Sequence, residues 1–186
     1  MKRIYILLLA FFLLGTLLMA AEKTDVQKKD LKGKVKKLST ESSDYYFMEN
    51  GNLSSESYDY DEYYCGDVYY NYDDQGRLSS MEDEDLYEGV IYSEKYTYDD
   101  KGRMKTKSYQ EYADWVTITY SYDAKGFLIA EKTTDEDGAQ IRRSEYVNDS
   151  NGNKVKEMQF GADDALERYF EFKYDKNNNK IEQTLF

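Results

Sequence analysis

The sequence contains no proline, no histidine and only one cysteine among its 186 residues. Because proline cannot donate to a strand ladder, its absence favours a chain whose backbone amides are nearly all committed to β-sheet pairing. The absence of histidine removes both the commonest general base and the commonest metal ligand. With Cys65 alone, no internal disulfide can form. We expect a half-buried thiol packed like a small apolar side chain, with pairing to another chain as the alternative.

Basic residues are also scarce, since 25 Lys and Arg face 37 Asp and Glu and the net charge is −12. Nucleic acid and anionic lipid surfaces are poor partners for such a field. Both basic residues near the N-terminus, Lys2 and Arg3, precede an apolar run over residues 4–19. This layout predicts a cleavable signal peptide over residues 1–21, with a membrane anchor as the alternative. We therefore expect a secreted or periplasmic protein of a bacterial cell envelope, with no stable membrane insertion after signal removal.

No stretch after residue 21 shows the period of a helix, and what recurs instead is an aromatic residue, an acidic turn, a glycine and an apolar residue. Copies recur every 24 to 26 residues, and such regularity indicates a repeat architecture. The residue before the turn is Phe47, Tyr72, Tyr98, Tyr122, Asn148 and Tyr174 in successive copies. We assign residues 22–32 to a flexible lead-in and residues 33–186 to a single domain of YDxxG hairpin repeats.

Each copy predicts two strands and two turns. In the clearest strand, Val116, Ile118 and Tyr120 alternate with Thr117 and Thr119, the period of a half-buried strand. The turn that follows requires a residue tolerant of positive φ. The turn-defining positions are Gly51, Gly76, Gly102, Gly126, Gly152 and, in the last copy, Asn178. The predicted fold is all-β, an antiparallel meander of about thirteen strands.

The run Tyr70-Asn71-Tyr72-Asp73-Asp74-Gln75-Gly76-Arg77-Leu78 resembles the YD repeats of bacterial RHS proteins, whose units look like Tyr-x-Tyr-Asp-x-x-Gly-Arg-Leu. The resemblance covers roughly residues 33–186, and the copies at Phe47 and Asn148 depart from it at the tyrosine. It implies a β-rich shell or a surface suspected of binding carbohydrate. Large members enclose a toxic segment and cleave themselves near an Asp-Pro-x-Gly motif. Without proline, this chain is expected to be a small secreted relative of the repeat region that lacks the cargo.

Thirteen strands with tyrosines on one side would present an apolar band on the order of 900 Å². A soluble monomer seldom exposes a contiguous apolar patch beyond roughly 300 to 600 Å². We therefore expect the tyrosine side to be covered. A curved, half-closed or barrel-like sheet would cover it by curling, and a flat sheet or dimeric sandwich would need another copy, a partner or a ligand.

Rings with a hydroxyl group are what sugar-binding grooves present, so the aromatic side chains form a candidate ligand surface. Its members are Tyr70, Tyr72, Tyr92, Tyr96, Tyr98, Trp115, Tyr120 and Tyr122. The alternative is that most of these rings are the core of a one-sided sheet. Trp115 falls on the opposite, mostly polar side by alternation, where it is either a recognition residue or a cap at the end of its strand.

Acidic clusters at Asp59, Asp61, Glu62 and Asp67, at residues 82–85 and at residues 135–138 offer oxygen ligands for Ca²⁺. None has the spacing of an EF-hand loop, and solvated turns are the preferred interpretation, so no metal or cofactor is predicted. Nothing selects a catalytic carboxylate pair, and no enzyme activity is expected. The leading hypothesis is a non-catalytic module that binds an envelope glycan or protein. The alternative is a structural or self-assembling module acting through sheet edges, and the oligomeric state is left open.

Overall fold

The computed structural model of the protein describes residues 25–29, 31–61, 64–111 and 114–186. The predicted signal peptide over residues 1–21 lies outside these residues, and so does Glu62 of the first acidic cluster. Among the described residues, no helix is long and apolar enough to cross a membrane.

The predicted all-β meander of thirteen strands is confirmed. Every strand pairs antiparallel with its sequence neighbours, in the order β1 to β13 of one sheet. A four-residue helical turn, α1, precedes the sheet. The elements are α1 Asp25–Lys28, β1 Lys37–Ser39, β2 Ser43–Phe47, β3 Leu53–Asp61, β4 Tyr64–Tyr72, β5 Leu78–Asp85, β6 Gly89–Tyr98, β7 Met104–Glu111, β8 Asp114–Tyr122, β9 Leu128–Thr134, β10 Gln140–Asn148, β11 Lys154–Phe160, β12 Leu166–Tyr174 and β13 Lys180–Leu185.

The repeated turn is closed by its aspartate. In the copy that begins at Asp99, Oδ1 accepts from the backbone amides of Lys101 and Arg103, both at 2.9 Å. The amide of Gly102 donates to the carbonyl of Asp99 at 2.9 Å, which requires Gly102 to adopt a φ of 78°. Asn178 takes the same left-handed conformation, with a φ of 64°, in the copy that lacks the glycine. Asparagine tolerates this region better than other non-glycine residues, so one turn geometry serves both.

The registers divide the side chains between two faces. Tyr70, Tyr96, Tyr120 and Tyr146 lie on one, which we call the tyrosine face. Ser57, Thr97, Thr106, Ser108 and Thr117 lie on the other, which we call the hydroxyl face. Adjacent hydroxyls on this second face bond to each other, with Thr97 Oγ1 at 2.6 Å from Thr106 Oγ1 and Ser108 Oγ at 2.9 Å from Thr117 Oγ1. Rings thus recur at corresponding positions of the tyrosine face, and small hydroxyl side chains recur on the other face, which also carries Trp115 and Tyr169.

The sheet is open rather than barrel-like, so the expected closure does not occur in the described part of the chain. Strands β1 and β13 are the two edges of the sheet and do not pair with each other. The buried apolar residues of the described chain are few, namely Phe47, Val116 and Tyr146. The expectation assumed an uninterrupted apolar face, whereas the tyrosine face also carries carboxylates and lysines, as shown below. Such a face is less apolar than the expectation assumed, and its cover by a second copy, a partner or a ligand stays a prediction.

Residues of the predicted lead-in contact the beginning of the tyrosine face. Asp25 Oδ2 accepts from the backbone amide of Leu53 at 2.7 Å and from the hydroxyl of Tyr72 at 3.3 Å. Lys29 Nζ lies 3.7 Å from the centroid of the Tyr45 ring. These contacts place α1 against β2–β4, and the flexibility of the lead-in stays a prediction.

Candidate functional site

A recurring cross-strand pair forms the tyrosine face. Each unit has an aromatic residue two positions before the last residue of the strand that leads into the turn. Its ring lies opposite a long side chain on the next strand. The pairs are Tyr45 with Glu56, Tyr70 with Met81, Tyr96 with Lys107, Tyr120 with Glu131, Tyr146 with Glu157, and Phe172 with Gln183. Rings and polar groups thus alternate across the sheet, which divides the aromatic surface into small patches.

Glu94 is the most buried carboxylate of this face, with 7% of its surface exposed. Tyr92 donates to its Oε1 at 2.5 Å, Tyr96 donates to its Oε2, and Lys107 Nζ lies 2.5 Å from Oε1. Two hydroxyls and one cation therefore satisfy the buried charge, as a buried carboxylate requires. Two tyrosines of the candidate ligand surface are committed to this cluster.

Three further members of the candidate surface hold the sheet together at its turn end. Tyr72, Tyr98 and Tyr122 each donate through the hydroxyl to a backbone carbonyl on the preceding strand. The acceptors are Leu53 at 2.9 Å, Leu78 at 2.8 Å and Met104 at 2.8 Å, respectively. Burial is the main reason that the pKa values of the Tyr72 and Tyr122 hydroxyls lie above their usual value. A hydroxyl engaged in this way cannot also donate a hydrogen bond to a ligand.

In two copies, the arginine after the turn glycine links the turn to the next unit. Arg103 Nε and Nη2 bond to Asp99 Oδ2 at 2.7 and 2.6 Å, and its guanidinium carbon lies 4.4 Å from the centroid of the Tyr122 ring. Arg77 makes the same contacts with Asp73 and with the Tyr98 ring. Each arginine thus joins its own turn to a ring of the next unit, through two bonds to one carboxylate oxygen and one ring contact.

Tyr70 and Tyr120 are the two remaining tyrosines of the candidate ligand surface. Both are half-buried, and burial, with Glu56 near Tyr70 and Glu131 near Tyr120, raises the pKa of each hydroxyl to about 12. They stay protonated at neutral pH and can donate a hydrogen bond to a ligand. Their separation across β4 and β8 places them in different patches rather than in one pocket.

Trp115 lies on the hydroxyl face, as alternation predicts. It is half-buried, and Lys95 Nζ lies 4.4 Å from the centroid of its ring. A cation over the ring occupies one side of the indole. The structure therefore brings Trp115 together with none of the predicted tyrosines.

The acidic clusters serve the turns and strand pairs. Asp85 Oδ1 accepts from the amides of Tyr87 and Glu88, and Asp135 Oδ1 accepts from the amide of Ala139. Among the residues that the structure describes, no group of three or more Asp, Glu, Cys or His side chains is arranged to hold a metal ion. Cys65 lies half-buried on β4.

A cleft of about 400 Å³ opens on the tyrosine face across β11–β13. Phe170 and Phe172 line it with rings 6.2 Å apart and 12° from parallel. Gln159 and Gln183 line it on either side, and Lys180 Nζ lies 5.3 Å from the centroid of the Phe172 ring. The volume falls in the range of small-molecule sites.

Sequence reasoning did not include these residues in the candidate surface. Phe170 stands where other copies have aliphatic or polar residues, and Phe172 stands where they have tyrosine. The available signal in the sequence was therefore a pair of rings without hydroxyls. Rings of this kind need no hydrogen-bond partner of their own, so no hydroxyl ties them to a backbone carbonyl as it ties the neighbouring tyrosines.

The fold and its repeated turns define an all-β repeat module. No protein-family model matches the chain, and no curated protein is similar to it in sequence. Solved structures with a similar fold include TcdB2-TccC3, TcdB2-TccC3-Cdc42 and a variant Tc holotoxin pore of Photorhabdus luminescens. Each has a TM-score of 0.60 at 14% identity and covers 86% of this chain. The chain spans only 8% of the length of those chains, which contain RHS or YD-repeat shells. The resemblance to that family therefore holds at the level of the fold.

Proposed function

We propose that the protein is a non-catalytic β-repeat module of the bacterial cell envelope that binds an envelope partner, and that this partner is a glycan held in the cleft of β11–β13. The observation that carries the proposal is the pair of nearly parallel rings, Phe170 and Phe172, inside the cleft. Elsewhere on this face many hydroxyls are already engaged. Those of Tyr72, Tyr98 and Tyr122 bond to backbone carbonyls, and those of Tyr92 and Tyr96 bond to Glu94.

The chemistry of the cleft suits a sugar ring. The C–H groups on one side of a pyranose pack against an aromatic ring, and its hydroxyls need donors and acceptors at the rim. Gln159 and Gln183 supply amides that can both donate and accept. Glu157 accepts from Gln159 Nε2 at 2.6 Å and pairs with Lys154 at 3.0 Å, so the rim is held in place by its own contacts.

The same cleft supports a binding role rather than hydrolysis. Glycoside hydrolysis uses two carboxyl groups on either side of the bond that breaks. Glu157 is the single carboxylate among the residues that line the cleft. The sequence also has no histidine to act as a general base.

A glycan array probed with the purified protein tests the proposal. We expect binding that Phe172→Ala abolishes, because the variant removes the stacking surface. Tyr169→Ala is the matched control, since Tyr169 is on the same strand but contacts Phe186 on the hydroxyl face. Circular dichroism melting of all three proteins checks that each is folded.

An array without a bound glycan, or equal loss in both variants, would contradict the proposal. Capture of an envelope protein that Phe172→Ala no longer binds would instead support the protein form of the leading hypothesis. A second candidate function, a structural or self-assembling module, is favoured by the open edge of β13.

A further inference from the structure

The cleft of β11–β13 differs in charge from the chain as a whole. The sequence has a net charge of −12, with 37 acidic residues against 25 basic ones. Lys154 and Lys180 line the cleft, and Glu157 is the single carboxylate among its described lining residues. A site with excess positive charge on an acidic protein favours an anionic ligand over a neutral one.

The carboxylate of the cleft is already neutralised by its neighbours. Glu157 Oε2 lies 3.0 Å from Lys154 Nζ, and Glu157 Oε1 accepts from Gln159 Nε2 at 2.6 Å. Lys154 Nζ also lies 3.8 Å from the centroid of the Tyr146 ring. Because Glu157 and Lys154 occupy each other, Lys180 determines the charge that a ligand meets in the cleft.

Lys180 has an uncompensated charge that is held in place. Its ammonium group donates to Gln183 Oε1 at 3.1 Å and lies 5.3 Å from the centroid of the Phe172 ring. It makes no ion pair with any residue that the structure describes. Lys173, by contrast, lies on the other face of the sheet and pairs with Glu182 at 2.8 Å. The remaining N–H groups of Lys180 are therefore available beside the ring on which a sugar would stack.

Arg168 places a second cation next to the cleft. It lies opposite Gln159 and two residues before Phe170, so strand alternation puts it on the tyrosine face. Its side chain is exposed and has no ion pair within the described ranges of the chain. Lys180 lies opposite Tyr174, at the other end of β12. The two cations thus stand on either side of the aromatic pair, about 20 Å apart along the strand.

We infer that the glycan of this cleft is acidic, with a ring carboxylate that binds Lys180 while the sugar ring packs on Phe172. The inference rests on the glycan-binding function proposed above and narrows the ligand to glycans that contain uronic acids. A carboxylate accepts charge-assisted hydrogen bonds from an ammonium group, which a neutral sugar hydroxyl cannot match. Arg168 is placed for a carboxylate farther along the same glycan, so a chain with repeated acidic residues fits best.

A glycan array that pairs each uronic-acid glycan with its carboxyl-reduced, neutral counterpart tests the inference. Calorimetry on the strongest pair then measures both affinities. We expect the acidic member to bind about tenfold more tightly, because one hydrogen bond between charged groups accounts for a difference of that size. High salt should reduce this preference, since it screens exposed charges.

Lys180→Gln should remove most of the preference and leave the affinity for the neutral member unchanged, because it removes the charge and keeps a polar side chain. Lys173→Gln is the matched control, since it changes the net charge by the same amount on the other face of the sheet. Phe172→Ala should abolish binding of both members. Thermal melting of each variant checks that it is folded.

The outcomes separate this inference from the proposed function. An array on which no glycan binds would overturn both. Equal affinity for acidic and neutral members, or a preference that Lys180→Gln and Lys173→Gln reduce alike, would overturn the inference alone. Binding of sulfated glycans with no response to uronic acids would also overturn it, because the anion would then not be a carboxylate.

Discussion

The side-chain amide of Asn148 donates to the carbonyl oxygen of Leu128 at 2.8 Å, in the place where other copies use a tyrosine hydroxyl. Tyr122 makes the corresponding bond to Met104 at the same distance. The copy that lacks the tyrosine therefore keeps the bond with a shorter side chain. In five of the six copies the residue before the turn therefore donates to the preceding strand, and Phe47 of the first copy is the exception.

Tyr122→Phe tests this role. The variant leaves the carbonyl of Met104 without its donor, and we expect the free energy of unfolding to fall by about 1 kcal/mol. Tyr109→Phe is the control, because Tyr109 lies on the same face and the structure shows no hydrogen bond from its hydroxyl among the described residues. Urea unfolding of both variants measures the difference, and equal effects would contradict the assignment.

The sequence predicts the strands and their order because each copy repeats the same local chemistry. Asp99 and Gly102 close a turn by contacts within five residues, so their pattern is readable without knowledge of the fold. The distribution of charge over the tyrosine face depends on cross-strand registers. The bulge between Thr97 and Tyr98, for example, shifts the pairing of β6 with β7. Alternation alone does not reveal such shifts.

The cleft was beyond sequence reasoning for the same reason. Its residues come from three strands, and the registers that bring them together shift at Phe160 and at Tyr174. The closure expected to cover the aromatic face does not occur in the described part of the chain, and that face is less apolar than alternation suggested. Glu94 lies between Tyr92 and Tyr96 by simple alternation, but its partner Lys107 is on the next strand, where only the register places it.

Two glycines should respond differently to the same substitution. A Cβ at Gly66 would lie 2.1 Å from the carbonyl oxygen of Glu84 and 2.8 Å from the hydroxyl of Tyr58, so Gly66→Ala forces β4 and β5 apart and should destabilise by roughly 1 to 3 kcal/mol. Gly76 has a φ of 77° and open space around it, so Gly76→Ala should cost about 1 kcal/mol.

Substitution by asparagine, also measured by urea unfolding, separates the two causes of destabilisation, which are steric contact at Gly66 and positive φ at Gly76. Gly76→Asn should restore most of the stability that Gly76→Ala loses, because Asn178 already adopts this conformation in the last copy. Gly66→Asn should be no better than Gly66→Ala, since the obstacle there is space. Recovery at both positions would show that steric contact at Gly66 has been misassigned.

The ion pair between Glu94 and Lys107 should be stabilising only as a pair. Lys107→Met leaves a buried carboxylate without its cation and should lower the free energy of unfolding by roughly 2 to 3 kcal/mol. Combining it with Glu94→Ile should recover most of that loss, because Met81 and Ile118 occupy the same positions in neighbouring copies. A double-mutant cycle by chemical denaturation measures the coupling. If the stability losses of the two single variants simply add in the double variant, Glu94 and Lys107 are not coupled.

Acid should weaken the links between turns. Hydrogen bonds from Arg103 hold the pKa of Asp99 below its usual value in the folded protein, with further help from backbone amides. A carboxyl whose pKa is depressed by folding contributes stability that is fully present above its unfolded pKa, near 4, and is lost as the pH falls through the folded value. The wild type should therefore lose this contribution only below about pH 4.

Asp99→Asn isolates the effect, because the amide oxygen can still accept from the backbone but carries no charge. The wild type should be more stable than this variant at neutral pH, and the gap should narrow as the pH falls below about 4. Asp100→Asn is the matched control, since Asp100 is an exposed residue of the same turn. The stability difference between the wild type and this variant should not narrow in the same way as the pH falls. Urea unfolding at a series of pH values measures both gaps. A gap for Asp99→Asn that stays constant down to the acid limit would mean that the guanidinium contact does not stabilise the charged carboxylate, and the link between successive units would then rest on the stacking of Arg103 against Tyr122 alone.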